Sequence, residues 1–311
     1  MSKINNNIVD LVGNTPLVRV SNYAAKHDIK AELIVKLESF NPLSSVKDRI
    51  GMAMIEAAEK EGALKPGGTV VEATSGNTGI ALAFVAAAKG YKAILTMPDT
   101  MSVERRKLLV ALGAKLVLTP GSEGMNGAIA KAQEIADSTD NAIMARQFEN
   151  TANPKVHRET TAEELWTDTD GKLDFFVGGY GTGGTLTGVA EVLKPRIDGL
   201  KVIGVEPLDS PMLTEGRTGP HKLQGLAPGF TPDIFKPELL DETIAITTEE
   251  AFQAARELAS LEGILGGISS GAALAAATKL AKRDGMEGKR IVVLLPDTGE
   301  RYLSTVLYGE L

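Results

Sequence analysis

The chain has 311 residues, 43% hydrophobic content and a net charge of -7, enough for one large or two medium α/β domains and too acidic for nucleic acid or an anionic membrane as main partner. Cysteine is absent and only three histidines occur, which excludes disulfides, thiolate zinc sites and cysteine nucleophiles and leaves no metal-ligand spacing. No apolar run reaches the roughly 18 residues of a membrane span, and the first seven residues lack a signal-peptide core, so a cytoplasmic chain that binds small molecules is expected.

In chain order, the first informative stretch is Ser39 to Gly51. The Asn41-Pro42 turn and the Ser44-Ser45 pair end a strand and cap a predicted helix whose first turn holds Lys47. The positive end of a helix dipole disfavours a lysine's charge and biases its amine toward the neutral form that a carbonyl-attacking nucleophile needs. The competing reading is a solvated lysine partnered by Asp48. From residue 66, short apolar runs alternate with helical periodicity. Strands are predicted at 67–73, 92–97, 115–118 and 142–145, with helices at 78–89, 102–112, 126–136 and 153–166. A second series has strands at 174–177, 201–206, 243–247 and 290–295 and helices at 248–261 and 270–283. Between them, 207–240 is rich in Pro and Gly and reads as a long functional loop. The alternation implies mostly parallel, twisted sheets covered by helices, in two layered domains with a cleft between them.

Three turns carry candidate chemistry. The strand ending at Ala73 empties into Thr74-Ser75-Gly76-Asn77-Thr78-Gly79, whose N–H groups, hydroxyls and amide suit a carboxylate; equally, it could be a capped turn with Gly76 at positive φ. The run Gly178-Gly179-Tyr180-Gly181-Thr182-Gly183-Gly184-Thr185 lies between a strand and a helix and suits a phosphate. It also spells G-x-G-x-x-G from Gly179 to Gly184, with Glu206 closing the next strand, so an NAD-dependent dehydrogenase is a rival reading. Gly267-Ile268-Ser269-Ser270-Gly271 fits a nucleophile elbow, but His27, His157 and His221 all precede Ser269, the wrong order for that hydrolase fold. Each His, together with Trp166 and the methionines, reads as structural or surface.

Taken together, these stretches resemble the cysteine synthase (O-acetylserine sulfhydrylase) group of fold-type II pyridoxal-phosphate enzymes. The likeness also runs through Gly13-Asn14-Thr15-Pro16-Leu17, Met101 to Arg106, Gln147-Phe148-Glu149-Asn150 and Gly219-Pro220-His221-Lys222. It implies a two-domain, tryptophan synthase β-like α/β fold with the active site in the interdomain cleft. The smaller domain is expected at 36–150, carrying Lys47 and Thr74–Gly79; the larger is expected at 1–35 and 151–311, carrying Gly181–Thr185.

By this resemblance, Lys47 binds pyridoxal 5'-phosphate as a Schiff base and acts as the base at the substrate's Cα, and Asn77 partners the ring hydroxyl. Thr74, Ser75, Gly76, Thr78 and Gln147 bind the substrate carboxylate. Gly181, Thr182, Gly183, Gly184 and Thr185 hold the phosphate, and Ser269 faces the pyridine nitrogen, with Ser270 as the alternative. A hydroxyl cannot hold a proton on that nitrogen as a carboxylate can, and no acid lies between Gly263 and Lys282.

The implied reaction is a ping-pong β-replacement. O-acetyl-L-serine loses acetate to give an α-aminoacrylate, to which sulfide adds to form L-cysteine. Rivals with the same cofactor are cystathionine β-synthase activity and the use of O-phosphoserine or serine. A homodimer and docking of a serine acetyltransferase C-terminal tail are also implied. Two departures bear on the choice of leaving group and sulfur donor: Tyr180 stands where the family mostly has a smaller side chain, and Leu226-Ala227-Pro228-Gly229 replaces the common Ile-Gly-Ala-Gly.

Overall fold

Short valine-, isoleucine- and leucine-rich runs form the strands, because such residues fit a pleated surface that is buried on both faces. The structure, a computed structural model, describes residues 4–74 and 76–309. In chain order the strands are β1 (Leu17–Arg19), β2 (Glu32–Leu37), β3 (Thr69–Ala73), β4 (Lys92–Pro98), β5 (Lys115–Thr119), β6 (Ala142–Met144), β7 (Phe175–Gly179), β8 (Lys201–Pro207), β9 (Glu242–Ile246) and β10 (Arg290–Leu295).

One compact unit comprises Gly13–Phe40 and Pro154–Leu311. Its sheet has the order β1-β2-β10-β7-β8-β9, in which only β1 runs antiparallel to its neighbour. The Ile268–Ala281 helix is apolar nearly all round and almost wholly buried, as befits a helix at the centre of a core. Beside it, the Thr248–Glu262 helix opens on a capping box: Thr247 Oγ1 accepts from Glu250 N–H and the Glu250 carboxylate accepts from Thr247 N–H. The carboxyl ends of parallel β7 and β10 put the glycine turn that follows Gly179 and the residues that follow Leu295 at the same end of the sheet.

The second unit comprises Met1–Val12 and Asn41–Asn153. Its parallel sheet has the order β5-β4-β3-β6, with β3 buried along its whole length. The Asn77–Lys89 helix packs on this sheet through Ile80, Ala83 and Ala86.

The expected α/β class with mostly parallel sheets is what the chain adopts. The unit edges fall differently from the expected 36 and 150. Residue 36 lies inside β2, where Lys36 pairs with Leu17 and Leu294. The chain before Val12 groups with the second unit, tied there by the Asn7 side-chain amide donating to the Ala88 carbonyl at 2.9 Å. The helix predicted over 153–166 is interrupted by a π-helical turn, His157–Thr161, and the loop 207–240 contains a short helix, Met212–Glu215. Among the described residues, no helix is long and apolar enough to cross a membrane.

Candidate active site

Lys47 is the first residue of the Lys47–Lys60 helix and is half-buried. The capping differs in detail from expectation. Val46 occupies the N-cap, and Ser45 Oγ reaches forward to accept the Lys47 N–H at 3.2 Å. Asp48 is fully buried and turns its carboxylate to the Leu43 N–H at 2.6 Å, which pins the turn that delivers Lys47.

In the same unit, the carboxyl end of β3 leads into Thr74 and the Asn77–Lys89 helix. Thr74 is buried, and its hydroxyl accepts the Gly76 N–H at 3.3 Å. Gly76 has φ -98, an extended conformation open to any residue, so the expected positive φ does not occur. The buried Thr78 hydroxyl donates to Gln147 Oε1 at 2.7 Å, which brings together two residues 69 apart. Asn77 opens the helix and is half-buried. Ser75 lies outside the described residues. Gln147 is held in turn by Asn153, whose side-chain amide donates to its carbonyl at 2.9 Å, and by Glu72, which accepts the N–H of the preceding Arg146.

In the other unit, Gly181–Thr185 follows β7 and runs into the Gly184–Leu193 helix. Gly183 takes the N-cap in the left-handed conformation at φ 79 and offers no side chain; the Thr182 hydroxyl accepts the Gly184 N–H at a long 3.4 Å. A Cβ added to Gly181 would lie 2.6 Å from the Gly225 carbonyl oxygen, so that position admits only glycine. Thr182 is buried, and Thr185 Oγ1 lies 3.2 Å from His157 Nε2, whose ring Nδ1 meets Thr161 Oγ1 at 2.9 Å across the π-turn. Glu206, the acid a dinucleotide fingerprint needs, is fully buried and spends its carboxylate on Leu213 N–H, Thr214 N–H and the Thr214 hydroxyl. It is therefore a cap for a short helix and not a ribose partner.

The two serines at the start of the Ile268–Ala281 helix separate cleanly. Ser270 is fully buried and donates to the Asp297 carbonyl at 3.3 Å. Ser269 is slightly more open, and its hydroxyl makes no hydrogen bond among the described residues. Asp297 also accepts the Gly267 N–H through its carbonyl at 3.2 Å and the Tyr302 hydroxyl through its carboxylate at 2.6 Å. It thus braces Ser269 from both sides.

Sequence reasoning missed three residues that shape these loops: Glu72, His157 and Asp297. No acid lies in the local run from Gly263 to Lys282, whereas Asp297 arrives from just beyond the end of β10. His157 carried no motif; its signal was the crowded Thr-rich run that follows it. Among the described residues, no cluster of His, Asp and Glu could hold a metal ion.

A family model described as pyridoxal-phosphate dependent enzyme matches residues 8–297. The chain is similar to cysteine synthase A of Escherichia coli strain K12, with 53% identity covering 100% of this chain and 98% of that protein. Its structure is similar to the crystal structure of cysteine synthase from Entamoeba histolytica, with a TM-score of 0.95 at 46% identity over 99% of this chain and 92% of that one. It is equally similar to O-ureido-L-serine synthase, with a TM-score of 0.95 at 47% identity over 99% and 96% of the two chains.

Proposed function

The chain belongs to the pyridoxal-phosphate-dependent enzyme family, and from that premise we infer that it is a transferase making L-cysteine from O-acetyl-L-serine and sulfide. The Cβ–O bond of the substrate breaks with loss of acetate, and a Cβ–S bond forms in its place. The observation that carries this reading is the Gly181–Thr185 turn: a helix start whose N-cap, Gly183, has no side chain, together with close-packed glycines and two threonine hydroxyls, makes a donor set for a dianionic phosphate. Ser269 adds support, as a nearly buried hydroxyl with no partner among the described residues.

When bound, the pyridoxal ring supplies an electron sink for the pair released at the substrate's Cα. In this reading Lys47 binds the cofactor covalently and its Nζ carries the Cα proton. Thr74, Ser75, Gly76, Thr78 and Gln147 hold the substrate carboxylate, and the Thr78 bond to Gln147 presets the amide's orientation. Asn77 partners the ring hydroxyl. Ser269 meets the ring nitrogen with a hydroxyl, which leaves that nitrogen less protonated than a carboxylate would and favours β-elimination over transamination.

The direct test is cysteine formation from O-acetylserine and sulfide by purified yellow protein. Colourless, fully active protein, or parent-rate turnover by Lys47→Ala, contradicts it. The same reading includes a cytoplasmic homodimer and docking of a serine acetyltransferase tail, whose terminal carboxylate suits the donors around Thr74 and Thr78. Sedimentation at assay concentration tests the dimer, and a tail peptide that fails to compete with O-acetylserine counts against the docking.

A further inference from the structure

Tyr180 is wholly buried although it immediately precedes the glycine turn; its N–H donates to the Val205 carbonyl at 2.9 Å in the neighbouring strand, while its carbonyl and its hydroxyl reach two points of one distant segment. Its carbonyl accepts the Ala227 N–H at 2.7 Å, and its hydroxyl donates to the Phe230 carbonyl. Its ring stacks on Phe235, with centroids 5.0 Å apart and planes inclined by 27°.

That segment in turn presses on the glycine turn. The Gly225 carbonyl sits against Gly181, and the Phe235 side chain fills the space over Gly183 so closely that any Cβ there would overlap it. The Lys236 N–H donates to Thr187 Oγ1 at 3.1 Å, one turn into the helix that follows. The segment needs ties of this kind. Ala227 is held at φ 43, a left-handed conformation costly for a residue with a Cβ, and Pro228 after it has no N–H to contribute.

We propose that Tyr180 is a positioning residue for the cofactor phosphate: by stapling Ala227 and Phe230 to the end of β7, it holds Gly225 and Phe235 against the Gly181–Thr185 turn and keeps that turn in its anion-binding shape. This rests on the assignment of that turn to the phosphate. A phenol is protonated and a donor at neutral pH already at its ordinary value of about 10, and burial pushes this one further up.

The test compares the parent with Tyr180→Phe, which keeps the ring and its stacking and removes only the hydroxyl. Full-length protein is loaded with pyridoxal 5'-phosphate or with pyridoxal, which lacks the phosphate, and loss of the visible chromophore is followed after dilution. The variant releases pyridoxal 5'-phosphate roughly three- to tenfold faster than the parent, the effect of one net hydrogen bond, and releases pyridoxal at the parent rate. Equal release of pyridoxal 5'-phosphate by the two proteins overturns the proposal, as does equal acceleration for both ligands, which marks general loosening. A parent that binds neither ligand removes the cofactor assignment itself, an outcome distinct from both.

Discussion

Glu72, inside β3, accepts the backbone N–H of Arg146 at 2.6 Å, and that bond aims the chain entering Gln147. It also stabilises Arg146 at φ 53, a left-handed conformation unusual for a residue with a side chain. Burial pushes the Glu72 carboxyl up to about 7; the Arg146 N–H opposes the rise, the nearby Glu149 carboxylate adds to it, and the Arg146 guanidinium opposes it. The folded state therefore binds this proton more tightly than the unfolded chain does. Its stabilising contribution is complete below about pH 4.5, the ordinary value, and is lost as pH rises through about 7. The loss is of order 3 kcal/mol. Glu72→Gln keeps an acceptor for the Arg146 N–H and cannot titrate. Urea denaturation at several pH values between 5 and 8 should show the parent losing stability that the variant does not; parallel pH profiles contradict the assignment.

Thr78→Val keeps the shape of the side chain and removes the hydroxyl that donates to Gln147. If both residues hold the substrate carboxylate, kcat/KM for O-acetylserine falls roughly ten- to hundredfold, the worth of a hydrogen bond to a charged group. The effect of sulfide concentration on the rate should be unchanged. Steady-state kinetics with each substrate varied in turn separates the two.

Lys36 is fully buried in β2, with its ammonium 2.7 Å from the Glu164 carboxylate and donating to the Thr15 carbonyl at 2.9 Å. Glu164 also accepts the Asn14 N–H, and the Thr15 hydroxyl donates to buried Glu38 at 2.7 Å. The Gly13 to Leu17 stretch thus serves architecture. Lys36→Met should cost about 3–5 kcal/mol by leaving a carboxylate uncompensated. Adding Glu164→Leu should restore much of the loss, and thermal melts of the two variants test this.

Ser270→Ala removes the bond to the Asp297 carbonyl and should cost about 1 kcal/mol of stability with turnover close to the parent's. Ser269→Asp presents a carboxylate in place of the hydroxyl and should depress cysteine formation and alter the visible spectrum, because the acid favours a protonated ring nitrogen. The reverse pattern, with Ser270 controlling the spectrum, exchanges the two serines' roles.

The strand-and-helix alternation from residue 66 onward was legible because β-branched runs and amphipathic periodicity are local properties. The strand over Arg290–Leu295 and the start of the Thr248–Glu262 helix fall where the pattern places them. Strand β1 carries little local signal, since it has only three residues and its place depends on pairing with β2. The π-turn at His157 left no periodic signature either.

By itself, the order of residues determined the layered α/β class, the two donor-rich turns and a helix with Lys47 in its first turn, because glycine spacing and hydrophobic period act within a few residues. Only tertiary structure decided that Ser270 and not Ser269 is bound to Asp297, that Glu206 serves as a helix cap, and that Tyr180 clasps Ala227 and Phe230. Those partners lie from 7 to 50 residues apart along the chain. They meet because parallel strands deliver their carboxyl ends to one edge of a sheet, and no local pattern records which donor will find which acceptor there.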